Sequence, residues 1–556
     1  MKTQKKIYFF TAGVPLVFLA VFYFYPLLNI FRLSFKPEDT WQLQSIQKLF
    51  TSSYYAGVLW FTFWQALVST LLTLLFAISG AYIFARFRFP GKKLLQAFTT
   101  IPFVLPTIVV AAAFQALLGQ HGLVNSILMD IFHFDEAPIQ MDYSILFIFL
   151  AHVFCNYTVV LRIVGGFWSQ LEPQLFEVAK VLGASPRQVF FKVTFPLLRP
   201  AIFASALLVF IFCFSSFGIV LILGGPSVST IEVEIYRQAV HIFNLPMAAA
   251  LSLIQILFIF GVMWIYTSLQ RKTSLVLNPD SIRHTQVKPS NFKEKAMVIL
   301  NIFFIFLLLG TPLLALILRS FSTENGFSLI FYRALFDNSL DSIFFVPPFQ
   351  AILYSCGFAL VTLLFSICLG LLAAHFLTAS KGKIGAILDP IFMLPLSTSA
   401  VTLGFGFIVT LDAPPLNLRT SILLIPLAHT LVAFPFVVRS LLPALRSIPK
   451  SLKESATLLG ANPFQVWKSV DLPIVGRALI VGAVFAFTVS LGEFGATVFT
   501  ARPQTPTLPL AIYRFLGQPG AMNYGQAMAM SSLLMFITAA GFLFLEKLRI
   551  DSLGEF

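Results

Sequence analysis

Long apolar runs, each closed by a short polar stretch, recur from one end of this chain to the other. A bilayer core of about 30 Å needs about 20 apolar residues per helix. Twelve segments reach that length, roughly 8–31, 58–85, 94–118, 144–168, 201–224, 246–269, 296–318, 350–378, 386–411, 421–443, 474–499 and 526–546. The pattern predicts an all-α membrane protein with twelve spanning helices. Lys2, Lys5 and Lys6 precede the first run as they would in a signal peptide. That run is too long for one, however, and no small-x-small cleavage site follows, so it is expected to stay as a span.

The polar stretches repeat. EVAKVLGASPRQVFFKVTFPLLRPA, Glu177 to Ala201, returns without a gap as ESATLLGANPFQVWKSVDLPIVGRA, Glu454 to Ala478. The same offset joins His152 to His429, Arg162 to Arg439, Phe217-Gly218 to Phe494-Gly495 and Ile235-Tyr236-Arg237 to Ile512-Tyr513-Arg514. A slightly larger offset joins Leu105-Pro106 to Leu394-Pro395 and Leu74-Leu75-Phe76 to Leu363-Leu364-Phe365. The change is absorbed between the third and fourth runs, by a long outer loop at 119–143 against a short one at 412–420. The reading is two parallel six-span halves, 1–270 and 296–556, joined by a charged cytoplasmic linker at 271–295. Parallel repeats imply a pseudo-two-fold axis along the membrane normal.

Composition and charge agree. Hydrophobic residues make up 58% of the chain and charged ones 11%, against about 25% charged in soluble domains. The net charge of +14 would suit nucleic acid, but its placement argues otherwise. With a cytoplasmic N-terminus, most of the 37 lysines and arginines fall on the inner side, and Glu38, Asp39, Asp135, Glu136, Asp142, Glu232 and Glu234 fall outside. This is the positive-inside pattern. Both termini and both copies of the repeated segment are expected in the cytoplasm, and no nucleic-acid partner is expected. Cys155, Cys213, Cys356 and Cys368 all sit in apolar runs, read as packing residues.

Within each copy, the stretch opening at Glu177 or Glu454 reads as a short helix after Pro173 or Pro449. Gly183 and Gly460 suit its left-handed end. Ser185-Pro186 and Asn462-Pro463 then cap a second helix, giving a rigid lever that runs into the next span. These residues resemble the EAA signature of ABC-importer permeases of the binding-protein-dependent, MetI-like type. The copies run Glu177-Val178-Ala179 to Gly183 and Glu454-Ser455-Ala456 to Gly460, departing from that signature at its first alanine. Val193 to Pro196 and Val470 to Pro473 stand for its Ile-x-Leu-Pro. The resemblance covers both halves and implies a type I importer permease in the cell's inner or plasma membrane.

By that resemblance Glu177, Ala179, Gly183, Glu454, Ala456 and Gly460 couple to a separate ATPase. Pro186, Gln188, Pro196, Pro463, Gln465 and Pro473 shape the coupling loops. Two ATPase copies and an extracytoplasmic binding protein are implied as partners, with alternating access as the mechanism. The chain has no GxxxxGK[ST] phosphate cradle of its own, and neither a catalytic residue, a metal nor a cofactor is expected. FTFWQALVSTLL (61–72), RFRFPGKKLL (86–95), LAHVFCN (150–156) and GGPSVSTIEVEIYRQA (224–239) resemble thiamine permeases. LGEFGATVFTARPQTPTLPLAIYRFLG (491–517) looks equally like iron and oxyanion permeases. Thiamine is the leading cargo and ferric iron the alternative.

Glu493 is the carboxylate deep in a span, with Ser216 as its counterpart. Such an acid is by default a functional candidate, set against a helix-packing hydrogen bond. Pro106 and Pro395 break the third and ninth spans, a way of lining a cavity. His152 and His429 are expected to bond between helices, Arg162 and Arg439 to snorkel, and Glu232 and Glu234 to lie on a solvated loop that could meet the binding protein. A secondary transporter is the rival class, but it would need no repeated cytoplasmic lever.

Overall fold

The computed structural model describes residues 2–37, 40–171, 177–179, 181–226, 228–272, 286–323, 326–337, 346–380, 383–412, 414 and 416–553. Glu38, Asp39, Pro173 and most of the expected linker lie outside the described residues. What is described is helical almost throughout, apart from a small hairpin pairing Ser322–Thr323 with Gly326–Phe327. Among the described residues, eleven helices are long and apolar enough to cross a membrane. A twelfth crossing is reached if Ile387–Ser397 and Ala400–Leu411, bent by 92°, count as one broken span.

The third span breaks at Pro106 as expected, but it runs on further than the sequence reading placed it. Helix Lys92–Val104 stops at Leu105-Pro106, and a new helix starts at Thr107. The continuous apolar candidate runs from Thr107 to Phe132, so 94–118 is not one unbroken crossing. It takes in helix Leu123–Phe132, inside what the sequence reads as a long loop. Buried Asn125 ties that region together, its Nδ2 donating to Gly119 O and Ile139 O while its Oδ1 accepts from Ile139 N.

Besides Arg237–His241, where no proline follows at that spacing, four of the described helices carry one wide turn of i→i−5 bonds: Ala20–Phe24, Phe190–Thr194, Phe306–Gly310 and Trp467–Asp471. In each, proline stands two residues further on, at Pro26, Pro196, Pro312 and Pro473. The reason is steric. Proline has no N–H for the carbonyl four residues back, and its ring crowds that carbonyl. Widening the preceding turn relieves the clash without ending the helix.

Packing divides the chain into two compact units. One comprises Met1–Leu49, Glu234–Ile256 and Leu329–Phe556; the other comprises Phe50–Val233 and Leu257–Ser328. Each unit takes the first span of one half together with later spans of the other. In the first unit, Leu19 and Tyr23 are buried among Leu369, Phe376, Phe392, Leu403, Phe407 and Phe434. In the second, Phe304 and Phe306 stack on Phe76 and Phe98, with ring centroids 5.6 and 5.3 Å apart.

Small residues let the central helices approach closely, as membrane helices require. In the second unit a Cβ added at Gly165 would lie 3.3 Å from Ala81 O. In the first, one at Gly370 would lie 2.6 Å from Val437 Cγ1.

Two expectations for charged residues are corrected. Glu232 and Glu234 are not on a solvated loop. They lie on helix Ile231–Tyr236 with 2% and 0% exposure, because the segment between the fifth and sixth spans folds inward. Gln238 Nε2 donates to Glu234 Oε1 at 2.7 Å. Arg162 does not snorkel freely, since its Nη2 donates to Thr100 Oγ1 at 2.7 Å. Arg439 is exposed.

Candidate functional site

The repeated segment folds the same way twice. Gly183 and Gly460 take φ of +82° and +86°, the left-handed geometry that glycine adopts without strain. Ala184 N donates to Ala179 O and Ala461 N to Ala456 O, at 3.0 and 3.1 Å. These six-to-one bonds close a Schellman turn, so the repeated alanine supplies the carbonyl that accepts the turn's outer bond. The repeated glutamine then has a job. Gln188 Oε1 accepts from Ser185 N at 2.8 Å while Ser185 Oγ accepts from Gln188 N. Gln465 and Asn462 exchange the same two bonds at 2.8 and 2.9 Å. Each is a reciprocal capping box, and Pro186 and Pro463 open the helix it caps. The wide turns ending before Pro196 and Pro473 carry the lever into the span.

These levers show apolar side chains to solvent. Val181 and Leu182 are 87% and 80% exposed, and their counterparts Leu458 and Leu459 are 88% and 89% exposed. Helix Lys450–Leu458 buries no residue at all. A short helix gains little stability without packing, and these carry their apolar side chains bare. Glu177 and Glu454 are exposed on the same helices. Among the described residues the second lever has a brace: Lys453 Nζ lies 2.8 Å from Asp471 Oδ1, and Asp471 is buried. The first copy has Phe176 and Thr194 in those places.

A polar cluster lies deep in the compact unit that contains Glu493. Helix Leu472–Gly492 ends at Glu493, and the short helix Thr497–Thr500 follows. The Glu493 carboxylate accepts from Ala496 N at 2.8 Å, and from Thr497 N and Oγ1 at 3.0 and 2.8 Å. It therefore caps the short helix with charge-assisted bonds. His429 Nε2 lies 2.8 Å from Thr497 Oγ1 and 3.3 Å from Glu493 Oε2. The single hydroxyl proton of Thr497 points at Glu493, so Nε2 must donate. His429 Nδ1 meets Ser490 Oγ at 2.8 Å, and Ser490 donates on to Thr362. Gly404 backs this clasp, since a Cβ there would lie 2.8 Å from Ala496 Cα.

Residues 74–275 and 366–548 each match the family described as the binding-protein-dependent transport system inner membrane component. The chain belongs to this family. It is an all-α type I importer permease, with one family domain in each half. Its relatives include the thiamine transport system permease protein ThiP of Escherichia coli, 26% identical over 92% of this chain and 91% of that protein. The protein of the same name from Brucella abortus is 26% identical over 82% and 81%. The ferric transport system permease protein FbpB of Actinobacillus pleuropneumoniae is 26% identical over 96% and 78%.

The permease is thus a multi-pass inner-membrane transport subunit, of a family that works with an ATPase and a substrate-binding protein. Among the residues read as candidates for its path, Pro106 and Pro395 both stand at helix breaks and are buried. Ser216 is buried where helix Phe195–Phe214 gives way to Phe217–Leu223. Sequence reading left two features unseen: the wide turns of the levers, and the service of Glu493 as a helix cap. The first was signalled by the prolines, the second by Thr497 four residues after the acid.

Proposed function

We propose that this permease imports thiamine, handed to it by an extracytoplasmic binding protein and driven by two copies of an ATPase. Both levers and both termini face the cytoplasm in this reading. Each lever, with helical residues Glu177–Ala179 and Val181 in the first copy and helix Lys450–Leu458 in the second, seats its bare apolar face in one ATPase, with Glu177 and Glu454 making the polar contact. The Schellman turn and capping box give the lever stiffness, so nucleotide-driven closure of the ATPases moves the fifth and eleventh spans and opens the path outward. The observation that carries the reading is the pair of matching levers with Val181-Leu182 and Leu458-Leu459 almost fully exposed.

The test is co-purification of the ATPase, with ATP-driven uptake into vesicles. Glu177→Ala with Glu454→Ala should weaken ATPase assembly and abolish uptake; unchanged assembly and uptake would remove the coupling role. A ferric-iron cargo is the second reading, since a ferric permease is as similar as the thiamine permeases are, 26% identical over 96% of the chain. Titrating the partner binding protein with thiamine and with ferric iron decides between them, and tight binding of iron alone would overturn the thiamine reading.

A further inference from the structure

Tyr236 and Tyr513 hold the same place in the two halves, within Ile235-Tyr236-Arg237 and Ile512-Tyr513-Arg514. In the folded chain they meet, joined by a side-chain hydrogen bond. Two related copies can touch through the same residue only at the axis that relates them. For parallel six-span halves that axis is the membrane normal, along which the substrate path of such repeats runs. The pair belongs to segments between the fifth and sixth spans of each half, the outer side by the placement of lysine and arginine.

The surroundings are aromatic and held in place. Phe499 meets Tyr236 edge to face, with centroids 5.8 Å apart at 89°, and Phe494 lies 5.5 Å from Tyr513. Phe405 backs Phe499 at 6.5 Å. His241 also packs edge to face on Tyr236, with centroids 5.1 Å apart. Phe494 and Phe499 flank the break that Glu493 caps. The buried acid therefore acts at a distance from the path, by fixing the short helix that carries Phe499.

We infer that Tyr236 and Tyr513 form an axial gate that closes the substrate path on its outer side, with Phe494 and Phe499 as its walls and Glu493 as a positioning residue. Tyrosine suits the task. Its ring fills the path while its hydroxyl gives the closed state a bond that breaks when the halves part. An aromatic collar also attracts a cation over its ring faces, which a permeating organic cation would meet on entry. The inference rests on the importer reading above.

The gate is tested in the full complex with its ATPase, reconstituted in vesicles, with radiolabelled thiamine as the probe. Tyr236→Cys with Tyr513→Cys, bridged by a bifunctional methanethiosulfonate reagent long enough to span two tyrosine side chains, should stop uptake until a reductant is added. The single variants keep the native Cys155, Cys213, Cys356 and Cys368, and the same reagent should leave their uptake intact. Uptake that survives a completed bridge overturns the gate. Tyr236→Phe with Tyr513→Phe keeps the packing and removes the bond. About a fivefold rise in ATP hydrolysis without binding protein is expected, the weight of one hydrogen bond on a closed–open equilibrium; unchanged hydrolysis counts against the gate. Failure of the importer reading looks different, because the unmodified permease would then show no ATPase-driven uptake at all.

Discussion

His429 and His152 occupy matching places in the two halves, yet only His429 uses both ring nitrogens. Its Nδ1 meets Ser490 and its Nε2 meets Thr497 and Glu493. His152 Nδ1 meets Ser69 Oγ at 2.8 Å, while its Nε2 is buried without a hydrogen-bond partner. The positions that serve His429 are Ser216 and Val220 in the first half, and Ser216 Oγ is likewise buried without a partner. Cys213 replaces Ser490, and Asn156 Nδ2 lies against its sulfur at 3.5 Å. One scaffold thus carries a closed polar network in the second half and an unfinished one in the first. A network in which every member is satisfied rigidifies its site, whereas unsatisfied members cost stability. The comparison teaches that the repeat preserves backbone and histidine but not rigidity.

The largest effect should come from breaking the closed network. Glu493→Ala leaves the N–H groups of Ala496 and Thr497 uncapped and His429 without its carboxylate. Each buried donor left without its acceptor costs about 1–3 kcal/mol, so the permease should unfold in detergent at clearly lower temperature. Glu493→Gln keeps one acceptor oxygen and should lose less. Equal stability for Glu493→Ala and the parent would show that the clasp holds nothing. In the other half, Ser216→Glu with Val220→Thr rebuilds the clasp around His152. The double variant should be more stable than Ser216→Glu alone by about 1–3 kcal/mol of coupling, and additive effects would mean that the two scaffolds differ in backbone.

The levers extend the comparison, because there the copies are alike. A Cβ at Gly183 or Gly460 would meet nothing within 4 Å, so alanine at either is opposed by backbone strain alone, about 1–2 kcal/mol. Gly183→Ala and Gly460→Ala should reduce ATPase affinity to a similar extent. A much larger loss at Gly460 would point to the Lys453–Asp471 brace, present in that copy, as the stronger determinant. Gln188→Ala and Gln465→Ala remove half of each capping box. Each should cost about 0.5–1 kcal/mol, read as faster hydrogen exchange in Ser185 to Gln188 or Asn462 to Gln465.

Much of this was legible in the sequence, for physical reasons. Span length follows from the thickness of the bilayer itself. The Gly-x-Ser/Asn-Pro-x-Gln run encodes its turn and cap locally, with no help from the rest of the fold. What escaped depends on tertiary contacts. Glu232 and Glu234 read as loop residues because nothing nearby in sequence announces that helix Ile231–Tyr236 folds inward. The meeting of Tyr236 with Tyr513 requires both halves to be assembled. The exchange of first spans between compact units leaves no trace in a pattern that counts spans in order.

The smallest expected effect probes the unfinished side. Ser216 Oγ is buried and without a hydrogen-bond partner, so the fold carries the desolvation of a hydroxyl with no bond in return. Replacing it should relieve that cost, since an unmet buried donor is a liability of about 1–3 kcal/mol. Ser216→Ala should therefore unfold at the same temperature as the parent or slightly higher, the reverse of Glu493→Ala. Measuring uptake alongside sharpens the contrast. If stability holds while uptake of thiamine falls, the hydroxyl is kept for the cargo, and the unfinished network is the half that touches it. If stability falls by more than about 1 kcal/mol, Ser216 is engaged after all, and the two halves are more alike inside than their side chains suggest.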